Sequence, residues 1–118
     1  MTRLLAFIVL FCAGARLNAQ YHSLDSLRTV LEKTDRGAAR VDVLNELSYH
    51  YFDYDPEAGF KFANEAYSLA TDLSYPKGLQ TSLTLQGYYY STTGDFRRAL
   101  SFYKKSNAIQ PSDTGVKG

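Results

Sequence analysis

Residues 85 to 103 read LQGYYYSTTGDFRRALSFY: three adjacent tyrosines, then a Gly94-Asp95 turn. Successive residues of an α-helix point about 100° apart, so Tyr88, Tyr89 and Tyr90 sweep most of its circumference. They cannot all face one core, and a helix that carries them needs neighbours on several sides. Thr93-Gly94-Asp95 breaks the helix, and Asp95 is placed to cap another that runs to Ile109, before Pro111.

The same alphabet extends upstream. The tyrosine helix opens at about Leu79 and runs to Thr92. Before it, Asp55-Pro56-Glu57 reads as a helix start: Asp as N-cap, Pro in the first turn, and an acid near the positive end of the dipole. Phe60, Phe62, Ala63, Ala66, Tyr67, Leu69, Ala70 and Leu73 carry that helix to Ser74-Tyr75-Pro76. Val41, Leu44, Leu47, Tyr51 and Phe52 form an earlier stripe. Leu24, Leu27 and Leu31 fall at i, i+3 and i+7 of a short leading helix that opens near Ser23 and ends at Arg36-Gly37. No β-alternation runs longer than a few residues, so the fold class is all-α.

Two segments overlay. Leu44-x2-Leu47-Ser48-x2-Tyr51 stands 39 residues before Leu83-x2-Gln86-Gly87-x2-Tyr90, and Lys77-Gly78 recurs as Lys117-Gly118 after 40. A period of this size with two helices per unit signals a helical solenoid. The residues resemble the tetratricopeptide repeat, with its pattern W-x2-L-G-x2-Y, then A-x3-F, then P. The second copy matches at Gly87, Tyr90, the Gly94-Asp95-Phe96 turn, Ala99, Tyr103 and Pro111, and departs at Leu83 and Gln86. The first keeps Leu47 and Tyr51, has Ser48 and Gly59 at the small positions, and is one residue shorter between its helices. The resemblance spans roughly residues 39 to 111.

The expected architecture is an antiparallel helix-hairpin solenoid of about two repeats plus a leading helix. It divides into a signal peptide (1–19), the leading helix (20–37), repeat 1 (38–76), repeat 2 (77–113), and residues 114–118 as a linker or the start of a third repeat. Antiparallel helices nest closely only where small residues meet. Gly87 with Ala99, and Ser48 with Gly59, supply that notch, while Tyr90 and Tyr103, or Tyr51 and Phe62, fill the space beside it. Lys117-Gly118 stands where a third unit would open. The expectation is a truncated chain, or a short solenoid that buries its open end on a partner or on itself.

The resemblance also implies a concave groove lined by the first helix of each unit. Carried over by position, it draws Asp42, Asn45, Tyr49, Phe52 and Asp53 from repeat 1, and Thr81, Thr84, Tyr88, Ser91 and Thr92 from repeat 2. Tyr49 and Tyr88 would either be satisfied packing residues of the helices or stack as a stripe for an extended peptide or partner helix, with Asn45, Thr84 and Thr92 as hydrogen-bonding groups. Tyr90 would pack in the core and Tyr89 would lean on the neighbouring unit. Asp42 and Asp53 disfavour an acidic peptide tail.

The N-terminus has a different character. Arg3 precedes an apolar run from Leu4 to Ala13, and Gly14-Ala15-Arg16-Leu17-Asn18-Ala19-Gln20 follows. That is the order of a secretory leader cut after Ala19, with Ala13-x-Ala15 as a second candidate. The run is about half the ~20 residues of a membrane span. Lipidation at Cys12 is the alternative, opposed by the bulky Phe11 before it. Cleavage removes that cysteine, so the exported chain is held by packing alone. It also removes Arg3 and Arg16 of 13 basic residues, leaving 11 against 12 acidic. No basic excess remains to drive nucleic-acid binding.

Catalytic and metal-binding chemistry has no footing. His22 and His50 lack companions at ligand spacing. Asp53-x-Asp55-x-Glu57 spaces acids as a calcium loop does, but Ala58 replaces its glycine and Asn64 its closing acid. No nucleophile–base pairing or phosphate loop is visible. Arg97-Arg98 and Lys104-Lys105 read as a solvated face. The expected function is a non-catalytic protein–protein interaction scaffold without cofactors, located in the periplasm or another extracytoplasmic space. The leader and repeats resemble the extracytoplasmic regions of bacterial sensor proteins. A free-standing periplasmic adaptor and a purely structural fragment are the alternatives.

Overall fold

The computed structural model describes residues 24–110, all of whose regular structure is helical. The expected leader, His22, Pro111 and Lys117-Gly118 lie outside the described residues. Helix α1 covers residues 24–33, followed by α2 (Ala38–Tyr51), α3 (Pro56–Asp72), α4 (Pro76–Thr92) and α5 (Phe96–Ala108). Among the described residues, no helix is long and apolar enough to cross a membrane.

The turns obey the expected chemistry. Asp55 accepts from the Ala58 amide at 3.2 Å, and Asp95 from the Arg98 amide at 3.1 Å. Each satisfies a first-turn N–H that the helix itself leaves unpaired. Pro56 and Pro76 open α3 and α4, where a missing N–H costs nothing. Helix α4 therefore begins at Pro76, ahead of the expected Leu79, and Gly78 lies inside its first turn. Gly94, at φ 84°, makes the left-handed turn into α5. Asp55→Ala and Asp95→Ala should each cost about 1 kcal/mol in urea unfolding, with the helices intact. A loss under a few tenths at both sites would discount the caps.

Consecutive helices run antiparallel. Ser48 of α2 donates its hydroxyl to the Gly59 carbonyl of α3 at 2.6 Å. Farther from that turn, Val41 and Leu44 share a buried cluster with Ala66, Leu69 and Ala70. Tyr75 and Leu79 of α4 pack on the same cluster, as does Leu31 of α1. The Arg40 guanidinium ties α1 to α2 by donating to the Leu31 and Thr34 carbonyls at 2.8 and 3.2 Å. Between α4 and α5, Tyr90 stacks on Phe102 at 5.4 Å, as Tyr51 meets Phe62 at 5.2 Å between α2 and α3. Leu47 and Ser48 are fully buried, and Tyr51 and Ala99 nearly so. Tyr90 and Tyr103 are half-buried.

Helices α2 and α4 are neighbours of another kind. Tyr75 pairs with Asp42 and Gly78 with Asn45, at a constant offset of 33 residues. They therefore lie parallel, with α3 packed against both. The tyrosine run now resolves. Tyr88 meets Phe52 of α2 edge-on at 5.2 Å, Tyr89 lies flat on Phe60 of α3 at 4.2 Å, and Tyr90 stacks on α5. One helix has three partners, and the three tyrosines share them, since Tyr90 also meets Phe60 edge-on at 5.5 Å.

Candidate functional site

Where α2 and α4 run side by side they leave a hollow of about 410 Å³, lined by Asp42, Asn45, Glu46, Tyr49, Lys77, Thr81 and Leu85. Asp42, Glu46 and Tyr49 fall at i, i+4 and i+7 of α2, one stripe turned toward α4. Lys77, Thr81 and Leu85 repeat at i, i+4 and i+8 on α4. Tyr49 is 66% exposed, its ring edge-on to His50 at 5.5 Å.

The floor is fixed by hydrogen bonds. The Tyr75 hydroxyl donates to Asp42 Oδ1 at 2.9 Å. Burial, then that bond and the nearby carboxylate charge, push the Tyr75 phenol above its usual range, so it stays a donor. Asn45 is 5% exposed, and its Nδ2 donates to the Gly78 carbonyl at 3.2 Å. Its Oδ1 is buried without a partner. The Thr81 hydroxyl is spent on the Lys77 carbonyl at 3.0 Å. Glu46 lies 3.5 Å from His50 Nε2, an ion pair only when that imidazole is protonated.

Four of the ten positions expected in the groove line this hollow: Asp42, Asn45, Tyr49 and Thr81. The others lie outside its lining. Phe52 is 8% exposed and sits in a cluster with Ala63 and Leu85, a wedge between helices rather than a binding surface. Thr84 turns to α5, its hydroxyl 2.6 Å from that of Ser106. Thr92 is at the far end of α4, donating to the Tyr89 carbonyl at 2.7 Å. Tyr88 is 46% exposed but leans on Phe52, so Tyr49 and Tyr88 form no stacked stripe. Asp53 and Ser91 are not in the lining. Asn45 is held within the fold by its Nδ2 bond to the Gly78 carbonyl, and its Oδ1 is shut off from solvent.

Glu46, Lys77 and Leu85 were not expected. Their signal was present: Glu46 is four residues from Asp42, and Lys77 four from Thr81. What was missing was the parallel offset that sets those faces opposite each other. The basic residues of α5 are partly engaged, with Arg98 and Lys105 lying over the rings of Tyr90 and Phe102. Among the described residues, no group of three or more His, Cys, Asp or Glu is arranged to hold a metal ion. Compared with protein-family models, curated proteins and solved structures, the chain matches none of them.

Proposed function

We propose that the protein is a non-catalytic scaffold whose α2–α4 face binds an extended polypeptide segment. The observation that carries this is the open hollow between parallel helices, with the Tyr49 ring exposed at its edge. Such a trough accepts a chain along its length, and an exposed aromatic of low side-chain entropy is a good anchor.

The architecture is read as a tetratricopeptide-like solenoid of about two repeats behind a leading helix. Support comes from contacts that recur with the period: the Asp55 and Asp95 caps, and the Tyr51–Phe62 and Tyr90–Phe102 pairs. The pattern of residues 1–19 supports export, and with the repeats it supports a place in the extracytoplasmic part of a signalling protein.

Panning a phage library of random dodecapeptides on the chain tests the binding reading. Enriched clones should bind Tyr49→Ala about tenfold more weakly than wild type. Tyr67→Ala, at an exposed ring on α3, should bind as wild type does. No enrichment, or equal losses at both sites, would overturn the reading.

A further inference from the structure

We propose that the hollow selects a basic side chain, lysine or arginine, of the polypeptide it holds; this rests on the binding reading above. The lining carries two carboxylates, Asp42 and Glu46, against one ammonium, Lys77. The two acids stand one turn apart on one helix face, so their fields add at the same place. The Tyr75 bond occupies Asp42 Oδ1 and leaves Oδ2 for another donor. Among the described residues, neither Asp42 nor Lys77 is in an ion pair.

The neutral groups agree with the charges. Asn45 is more than nine-tenths buried in the lining, with one N–H bound to the Gly78 carbonyl and its buried Oδ1 without a partner. The Thr81 proton is committed within α4. The wall is thus rich in acceptors, and Lys77 is its one cationic donor. A guanidinium or ammonium supplies what it lacks. The exposed Tyr49 ring offers a face to the cation and its methylene stem. An acidic peptide would meet two carboxylates instead.

The panned clones read this directly. Clones that depend on Tyr49 should be enriched in Lys and Arg and depleted in Asp and Glu relative to the unselected library. In the tightest clone, changing its key basic residue to Gln should weaken binding roughly fivefold. On Asp42→Asn/Glu46→Gln that difference should vanish. Both sites are exposed, and an unchanged melting temperature would show that the variant folds. Lys77→Gln should instead tighten basic clones about twofold. Clones that need Tyr49 but are acidic or indifferent to charge would overturn the selectivity and leave the binding site standing. So would a Gln penalty that persists in the double variant, or weaker binding by Lys77→Gln. No Tyr49-dependent clone would overturn both proposals.

Discussion

Gly87→Leu should lower the melting temperature by about 10–20 °C, the counterpart of roughly 3 kcal/mol in a domain of this size. A Cβ at Gly87 would stand 2.8 and 2.9 Å from the Tyr103 ring and 3.3 Å from the Ala99 carbonyl. The ring can swing aside, but the carbonyl belongs to the α5 backbone, and a leucine branch needs the space of both. The hairpin of α4 and α5 must open, and Tyr90 loses its flat contact with Phe102. Gly87→Ala separates size from mere occupancy. Its methyl displaces only the ring, while alanine gains about 1 kcal/mol of helix propensity, so the result should be near neutral. Gly59→Ala should be worse than Gly87→Ala, because its methyl would lie 2.9 Å from the Ser48 backbone oxygen and 3.1 Å from Phe52. Paired thermal melts decide the point. A Gly87→Leu melt within about 2 °C of wild type would mean the helices do not nest there.

These glycines show what the sequence makes legible. Within a helical hairpin, caps, turns and stripes are local, and the order of helices follows from them. Asp55, Asp95, Gly94 and the stripe from Val41 to Phe52 needed no knowledge of the third dimension. The small positions were visible too, because a hairpin brings residues near its own turn together. Contacts between α2 and α4 are separated by α3 and depend on the angle between hairpins, which no periodicity in the chain encodes. Phe52 therefore looked as suited to a groove as Tyr49, yet one is a wedge and the other is exposed. Thr84 stands 39 residues after Asn45, at the corresponding place of the sequence overlay. Asn45 bonds forward to Gly78, whereas Thr84 is drawn to Ser106. Gln86 departs from the expected leucine for a reason only the fold supplies: its amide donates to Asn64 on α3 at 2.8 Å.

Gly78→Leu should act on the seam between hairpins, and its signature should differ from that of Gly87→Leu. A Cβ at Gly78 would stand 2.4 Å from Val41 Cγ1 and 2.6 Å from Tyr75 Cδ2. Val41 is fully buried among Leu44, Ala66 and Ala70, so it has nowhere to retreat. Relief requires α4 to lift from α2 at its first turn. That motion carries away the Gly78 carbonyl and leaves both ends of the buried Asn45 amide unpaired. It also drags Tyr75 from Asp42. Overpacking together with an orphaned amide should cost about 3 kcal/mol or more. The damage falls between units rather than within one, so each hairpin keeps its own contacts and the melt should broaden or split. Tyr49-dependent peptide binding should vanish even at temperatures where the far-ultraviolet signal of helix persists, because the hollow is made by the seam itself. Gly87→Leu, by contrast, should lose helix and binding together as its second hairpin opens. A single sharp transition for Gly78→Leu at the wild-type temperature, with peptide binding intact, would show that the parallel contact of α2 and α4 neither couples the hairpins nor shapes the site.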